Sequence, residues 1–345
     1  MEQEQYFARS ANEQGEWESL PHHLERACIL CSEFLSTFGY GSWGAVLGLF
    51  HDFGKYGALF QQVLRRERTG VDHASPGAAL VYSTYLKSAG VMLAASVIAS
   101  HHSTLSLCDP QAMRRICQGK GSRQNSEGYL FSIFGPSEMQ KAAACWQHHF
   151  SVPALKPGPP DFSSQEDSCL ARMLFLRFLY SALVDADYSS SAEHFEPDYL
   201  SKYSGPPLDI CGAQAHLRQL QEAKRANSTA SASLNRLRNQ LFDDCLAAAK
   251  QPQGLFTLTA PTGLGKTLSL LAFALEHCRQ HGMRRIIIVA PFLSVIEQNV
   301  KDYRKVVPDL LEIHSNAQLD ERARLLSERW DAPCIVTTSV GFFQP

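Results

Sequence analysis

The sequence LFHDFGK at residues 49–55 places a histidine and an aspartate side by side at the end of an apolar run. Further candidate metal ligands stand before and after it along the chain: His23, His73, the pair His101-His102 and Asp187. Neutral imidazole binds Mn, Fe, Co, Ni and Zn, whereas a carboxylate favours harder ions and bridges two of them. A lone His-Asp pair more often belongs to an ordinary core, but this ordered series predicts a divalent metal site.

Apolar residues recur every three or four positions through the first half of the chain, which predicts an almost entirely helical region over residues 17–195. The clearest helices run from His23 to Phe38, from Ala78 to His102 and from Leu170 to Asp187. Adjacent residues on a helix point about 100° apart. We therefore expect His51 and Asp52 to face one cavity that holds two ions, which would clamp the attacking and leaving oxygens of a phosphodiester.

A second motif, APTGLGKT at residues 260–267, lies between an apolar segment and an apolar helix, which is the context of a phosphate-binding loop. Backbone amides of the loop and of the helix N-terminus are expected to hold the phosphates of ATP. Lys266 is expected to reach the β- and γ-phosphates, and Thr267 to hold Mg²⁺. The predicted nucleotide-binding residues are Gly263, Leu264, Gly265, Lys266 and Thr267.

Short apolar segments alternate with helices around this loop. Residues 254–259, 285–290 and 334–338 are predicted strands, and residues 234–249 are a predicted helix. Such alternation is typical of a parallel α/β sheet. After Thr338 the sequence has no Asp-Glu pair that would hold Mg²⁺ and polarise water. We therefore expect weak nucleotide binding and no processive ATP hydrolysis.

The length of 345 residues favours two domains, and 45% apolar residues support ordinary globular cores. We predict a helical domain at 1–200, a turn-rich and polar linker at 201–233, and the α/β portion at 234–345. The sequence has no apolar run as long as a membrane span and no signal peptide, and its ten cysteines are scattered singly. These features predict a cytoplasmic protein with reduced thiols.

The formal net charge is −2, so affinity for nucleic acid has to come from local patches. Two basic clusters are candidates, and each follows predicted metal ligands in the sequence. The first cluster contains Arg65, Arg66 and Arg68, and the second contains Arg114, Arg115, Lys120 and Arg123. The alternative for each cluster is a solvated helix face or loop.

The order His, His-Asp, His, His-His, Asp resembles the HD phosphohydrolase superfamily. More narrowly, four segments are similar to the nuclease domain of the CRISPR-associated helicase–nuclease of type I interference systems. They are GLFHDFGKY at 48–56, FQQ at 60–62, DHAS at 72–75 and SALVDAD at 181–187.

The resemblance continues in the second half, where the phosphate loop, PFLSVIEQN at 291–299 and WDAPCIVTT at 330–338 are similar to the first helicase motifs of the same family. It implies a multidomain chain. An all-α HD-type nuclease domain would be followed by an incomplete α/β RecA-like lobe of superfamily 2 helicases.

The family pattern implies two divalent ions, with Mn, Fe, Co, Ni and Mg as candidates. One would be held by His23, His51, Asp52 and Asp187, and the other by Asp52, His73, His101 and His102. His23 is preferred to His22 because Leu24 follows it, and Asp187 is preferred to Asp185 because it occupies the family's Ala-Asp position. Lys55, one helical turn after His51, is expected to act with His51 and Asp52 in catalysis by binding the scissile phosphate.

The resemblance implies metal-dependent hydrolysis of single-stranded DNA in CRISPR interference. The expected partner is the RNA-guided surveillance complex, with ATP and Mg serving the full-length helicase, of which this chain would be an N-terminal piece. Two alternatives stay open. An HD-type nucleotide phosphohydrolase is disfavoured by the attached helicase segment, and a non-catalytic docking module is disfavoured by the intact ligand set.

Overall fold

The computed structural model describes residues 5–118, 122–124, 130–132, 134–161 and 168–343. The chain divides into two units, residues 1–200 and residues 201–345. Within the described ranges, no helix is long and apolar enough to cross a lipid bilayer.

The first unit is mostly helical. Its helices are α1 (Leu20–Ser36), α2 (Gly41–Phe50), α3 (Ala58–Leu64), α4 (Ala74–Thr84), α5 (Val91–Ser100), α6 (Pro110–Cys117), α7 (Pro136–His149) and α8 (Ser168–Phe195). The short helix α9 (Tyr199–Lys202) includes the last residues of the first unit and the first residues of the second. A 3-10 helix, Phe53–Tyr56, follows α2. Two short antiparallel pairs accompany the helices: β1 (Phe7–Arg9) with β2 (Glu18–Ser19), and β3 (Ser122–Gln124) with β4 (Leu130–Ser132).

Close packing of α1 on α2 brings the start of one helix to the end of the other. Helix α1 begins at a Ser19 cap, whose hydroxyl accepts from the amide of His22, and Pro21 stands in the first turn, where no amide is needed. Gly44 and Gly48 form the contact face of α2, because a Cβ on Gly44 would stand 2.5 Å from the backbone of Cys31. The antiparallel crossing places the first turn of α1 beside residues 51–52.

Gly48→Ala tests this contact. A Cβ there would stand 2.7 Å from the carbonyl carbon of Ala27 and even closer to the backbone of Cys28. We expect a loss of about 1–3 kcal/mol in the free energy of unfolding from overpacking, measured by urea denaturation. The control is Gly135→Ala, because nothing lies within 4 Å of that position. Wild-type stability in Gly48→Ala would contradict this, because it would show that α1 and α2 can move apart to accept a methyl group without a loss of folding free energy.

Two details of the first unit differ from the sequence prediction. The helix expected from Ala78 to His102 is divided into α4 and α5, because the chain turns at residues 85–90 and Gly90 packs against the Trp43 ring. His51 and Asp52 also lie beyond the end of α2 rather than inside a helix. Asp52 has φ −103° and ψ 18°, so the chain turns there into the 3-10 helix.

The second unit is an α/β structure. Its elements are α10 (Ile210–Ala226), α11 (Ala232–Ala248), α12 (Lys266–His281), β5 (Ile286–Ala290), α13 (Leu293–Val306), β6 (Leu310–Ile313), α14 (Glu321–Arg329), β7 (Cys334–Thr338) and α15 (Ser339–Phe343). The three strands form a parallel sheet in the order β5-β7-β6. The central strand β7 is buried from Cys334 to Thr337, which explains the apolar run Cys334–Val336 at its start.

The segment predicted as a linker, residues 201–233, contains helix α10 over residues 210–226. Asp209 caps this helix by accepting from the amide of Gly212 at 2.9 Å. Ala213 and Leu217, four residues apart, are buried in the core of the second unit. The prolines and small polar residues around this segment obscured its helical spacing of apolar residues.

The predicted strand at residues 254–259 does not form within the described part of the chain, whereas those at 285–290 and 334–338 do. An apolar run becomes a strand only where a neighbouring strand completes its hydrogen bonds. Leu255 is 95% exposed, and the segment is anchored instead by Phe256 against the ring of Phe273, with centroids 4.9 Å apart. Strand β6 was not predicted.

Candidate functional site

The seven predicted metal ligands lie on five separate segments of the first unit and meet at one place. They are His23 in α1, His51 and Asp52 after α2, His73 before α4, His101 and His102 after α5, and Asp187 in α8. His23, His51 and Asp52 are fully buried, whereas His102 is exposed.

The first ligand set consists of His23, His51, Asp52 and Asp187, with candidate ligand atoms all within 4.8 Å of one another. The Nε2 atom of His23 lies 3.1 Å from Asp52 Oδ2 and 3.3 Å from Asp187 Oδ1. The Nε2 atom of His51 lies 3.3 Å and 3.6 Å from the same two oxygens. Four such atoms, brought together by α1, α8 and the turn after α2, can surround one divalent ion.

The second ligand set shares Asp52 and adds His73, His101 and His102, again within 4.8 Å. The Nε2 atoms of His73 and His101 each lie 3.5 Å from Asp52 Oδ1. The carboxylate of Asp52 therefore presents Oδ2 to the first set and Oδ1 to the second. This orientation is the one that a bridging carboxylate requires.

Several polar atoms at this centre are buried without a hydrogen-bond partner: Nε2 of His51, His73 and His101, and Oδ1 of Asp52. An unsatisfied buried polar group costs about 1–3 kcal/mol, so such a cluster needs an explanation. The Nδ1 atoms of His51 and His101 contact the carbonyl oxygen three residues earlier, at 2.9 Å and 2.6 Å. An Nδ1–H donated there leaves the Nε2 lone pair free for a metal, so the donor set fits divalent ions.

Electrostatics prepares the imidazoles of His73 and His102 for metal binding, whereas the carboxylates of Asp52 and Asp187 raise the pKa of His23 and of His51 against the effect of burial. Burial lowers the pKa of His73 to about 3, and partial desolvation of the His102 imidazole together with neighbouring His101 lowers the pKa of His102 to about 4. Both are therefore neutral, as metal ligands must be. Burial also opposes a charge on His23, but its hydrogen bonds to Asp187 and Asp52 raise its pKa to about 10. A divalent ion would have to displace that proton.

The two carboxylates are anionic despite their burial. Burial by itself would raise the pKa of Asp52, but the charges of Lys55 and His51 hold it well below its usual value. Burial acts in the same direction on Asp187, but the imidazoles of His23 and His51, at 3.3 Å and 3.6 Å from its Oδ1 atom, lower that pKa well below the usual range. Metal ligation requires this ionised form.

Lys55 lies within the centre but is 1% exposed. Its Nζ atom stands 2.5 Å from Asp52 Oδ2 and donates to the carbonyl of Ala8 at 3.3 Å. The predicted one-turn spacing from His51 does turn Lys55 inward, but the N-terminal strand β1 covers it. In this arrangement Lys55 neutralises Asp52 and does not face solvent.

Three further residues at the centre were missed by sequence reasoning. Arg9 donates from Nη2 to Asp187 Oδ1 at 3.0 Å. On the other side of the His23 ring, Nδ1 lies 3.1 Å from the Ser190 hydroxyl and 3.5 Å from Glu18 Oε2. Ser190 lies three residues after Asp187, which is a signal of a shared helix face. Nothing in the local pattern marks Arg9 or Glu18.

The structure separates the two adjacent pairs that the sequence left ambiguous. The His22 side chain is 71% exposed, whereas that of His23 is fully buried at the centre. Asp187 belongs to the first ligand set, whereas Asp185 accepts from the hydroxyl of Ser189 at 3.2 Å. His23 and Asp187 are therefore the members of each pair that reach the other ligands.

The predicted basic clusters lie only partly within the described residues. Arg65, Arg66, Arg68, Arg114 and Arg115 are exposed. Lys120 and the side chain of Arg123 fall outside what the structure describes. Exposure suits both a DNA-binding patch and a solvated surface, so the two interpretations stay open.

The predicted phosphate-loop residues stand at the start of α12. Gly265 adopts φ +82°, a left-handed conformation that favours glycine, and the helix begins at Lys266. The ammonium of Lys266 donates to the carbonyl of Ala260 at 2.6 Å, and Thr267 donates to Asn299 at 3.3 Å. Gly263, Leu264, Gly265 and Thr267 line a cleft of about 430 Å³ together with Arg238, whose Nε donates to the Gly263 carbonyl at 2.9 Å.

Comparisons with known proteins agree with this architecture. Residues 218–340 match the family model described as type III restriction enzyme, res subunit. T. fusca Cas3 crystallised with AMPPNP is similar at 17% identity and a TM-score of 0.52, and T. fusca Cas3 crystallised with ADP at 18% and 0.53. Each match covers 96% of this chain and 43% of the Cas3 chain. No curated protein sequence matches the chain significantly.

The chain therefore shares the fold of T. fusca Cas3 over nearly its whole length while spanning less than half of that protein. The resemblance and the fold class that it implied are confirmed at the level of the fold: a mostly helical domain precedes part of an α/β lobe, whose residues 218–340 match the res-subunit model. The one refinement is that the first unit contains two short β pairs besides its helices.

Proposed function

We propose that this chain is a metal-dependent nuclease that hydrolyses phosphodiester bonds of single-stranded DNA in CRISPR interference. The observation that carries the proposal is the position of Asp52, with one oxygen toward each ligand set and unpartnered imidazole nitrogens around it. A structural core has no need of such unsatisfied groups, whereas a pair of divalent ions would use all of them.

Two divalent ions bound here would supply a water of lowered pKa and would clamp the attacking and leaving oxygens of the phosphodiester. The imidazole-rich donor set suits Mn, Fe, Co and Ni better than Mg. His23, His51, Asp52 and Asp187 would hold one ion, and Asp52, His73, His101 and His102 the other. Lys55 keeps the shared carboxylate ionised, and the exposed His102 marks the side open to substrate.

We further infer that residues 263–267 bind ATP with Mg²⁺ in the service of a helicase activity of the whole protein. Its partner would be an RNA-guided surveillance complex. All ten cysteines are free thiols, which suits the reducing cytoplasm where such a complex would act.

The decisive experiment is a cleavage assay with Mn²⁺, a labelled single strand and excess deoxynucleotides as competitor. We expect the strand to be cut better than a blunt duplex, chelation by EDTA to stop the reaction, and the deoxynucleotides to remain intact. Hydrolysis of the deoxynucleotides with intact DNA would identify a nucleotide phosphohydrolase instead. Inertness toward both substrates would favour the docking module.

Lys266→Ala should separate the two activities. We expect affinity for an ATP analogue to fall about 10- to 100-fold, because hydrogen bonds to a charged group contribute about 1.5–3 kcal/mol. Cleavage of single-stranded DNA should remain within about twofold of wild type, because every proposed metal ligand precedes residue 188. The measurements are fluorescence titration and gel-based cleavage. The control is Lys250→Ala at an exposed position of the same unit; a nuclease defect in Lys266→Ala would contradict the separation.

A further inference from the structure

Arg9 brings a second cation to the metal centre from outside the helical segments that carry the ligands. It ends strand β1 and pairs in register with Glu18 of β2. Its Nη2 atom donates to Asp187 Oδ1 at 3.0 Å and to the hydroxyl of Ser191. Its Nε atom is buried and has no hydrogen-bond partner, so the guanidinium keeps an unused donor.

Exposure distinguishes Arg9 from the other cation at the centre. The Arg9 side chain is 28% exposed, whereas that of Lys55 is 2% exposed and is paired with Asp52. Among the described residues, these are the lysine and the arginine within ion-pair distance of Asp52 or Asp187. Arg9 is therefore the one of the two that a substrate can reach.

The strand that carries Arg9 is held firmly against the centre. Gln61 accepts from the amide of Phe7 at 3.1 Å and donates to its carbonyl at 2.9 Å. The same side-chain amide donates to the carbonyl of Lys55 at 2.7 Å, and Lys55 donates to Ala8. These contacts fix β1 to the 3-10 helix, so the position of Arg9 is preorganised.

We propose that Arg9 binds the phosphate of the DNA strand next to the metal centre. Without ions, Arg9 and Lys55 balance the charges of Asp187 and Asp52. Two divalent ions would add four positive charges, so the centre would then attract an anion. An ion held by Asp187 would compete with Arg9 for this carboxylate and would free the guanidinium, whose planar fork matches two phosphate oxygens. This inference rests on the proposed function, because it assigns a substrate contact for the same site.

The test uses Arg9→Met, which keeps an unbranched apolar stem, and Arg9→Lys, which keeps the charge. The control is Arg26→Met, because Arg26 is a half-exposed arginine of the same unit that pairs with Glu193 at 2.6 Å. Three quantities are measured: Mn²⁺ affinity by calorimetry, the Mn²⁺-dependent cleavage rate, and the salt dependence of single-strand binding. Binding is measured with Ca²⁺, and strand integrity is checked on gels.

We expect Arg9→Met to lower the slope of log affinity against log salt by about 0.7, the value for one phosphate contact on a single strand. The cleavage rate should fall about 100-fold, as when one electrostatic donor to a reacting group is removed. Mn²⁺ affinity should stay within about threefold of wild type. Arg9→Lys should retain the slope, and Arg26→Met should match wild type in all three quantities.

An unchanged slope in Arg9→Met would overturn the inference. If Mn²⁺ affinity fell at the same time, Arg9 would be a positioning residue for Asp187. Should circular dichroism show that Arg9→Met does not fold, Arg9→Gln takes its place under the same criteria. Failure of the proposed function would appear differently, as a wild-type chain that does not cut single strands with Mn²⁺, while the slope comparison would still decide whether Arg9 contacts a phosphate.

Discussion

Asp52→Ala is expected to abolish metal-dependent cleavage of single-stranded DNA, with a rate reduction of at least about 100-fold. Loss of an outer-shell partner of a metal ligand costs about 10- to 100-fold, and Asp52 would be a direct ligand of both ions. Its two oxygens face separate ligand sets, so a single substitution removes a donor from each. The measurement is the initial cleavage rate with saturating Mn²⁺, together with a calorimetric Mn²⁺ titration.

The structure adds a control that the sequence did not suggest. Removing Asp52 leaves the buried ammonium of Lys55 without its partner, and a broken buried ion pair costs about 3–5 kcal/mol. The double variant Asp52→Asn with Lys55→Met removes both charges and should fold more stably than Asp52→Ala while remaining inactive. Wild-type cleavage by the folded double variant would show that Asp52 is not a ligand.

His23→Ala and His22→Ala form a matched pair with opposite expected results. The two histidines are adjacent in α1, but only the imidazole of His23 lies against Asp52 and Asp187. His23→Ala should reduce both Mn²⁺ affinity and the cleavage rate by at least about 100-fold, again judged from the effects of metal-ligand shells. His22→Ala should change either quantity by less than about twofold, because its side chain is 71% exposed.

The second ambiguous pair offers the same comparison in α8. Asp187→Asn should behave like His23→Ala, and Asp185→Asn should behave like His22→Ala. Stability of each variant, measured by urea denaturation, separates a loss of metal binding from a loss of folding. Equal effects of the two substitutions in either pair would mean that the metal centre has been assigned to the wrong residues.

The motifs identified the residues that the fold brings together because each candidate ligand is marked by its own neighbours. His51 and Asp52 follow an apolar helix, and Asp187 ends a run with helical spacing. The glycine-rich loop before Lys266 was equally predictable, because Gly265 adopts a left-handed backbone conformation that favours glycine. Local pattern thus determined the helical first unit and the phosphate loop, whereas the candidate ligands followed from the family that the motifs resemble.

Helices and strands that depend on contacts with residues far along the chain could not be predicted from local pattern. Residues 254–259 have the apolar composition of a strand, but backbone hydrogen bonds to a neighbouring strand decide whether one forms. Helix α10 was not predicted because its segment is rich in turn-forming residues. It is stabilised by packing on the core of the second unit, in which Leu217 is buried. Stabilisation of both segments comes from contacts far along the chain.

The sequence by itself indicated which side chains gather around Asp52, because the ordered His and Asp motifs resemble a family pattern that implies these ligand sets. Only the tertiary structure decided which cations join them. Strand β1 packs beside the centre, where the Ala8 carbonyl accepts a hydrogen bond from the Lys55 ammonium that pairs with Asp52. The same strand brings Arg9 to Asp187, a residue 178 positions away. The interaction of two charges depends on their separation in space. The spacing of residues along the chain does not determine that separation for residues as far apart in sequence as Arg9 and Asp187.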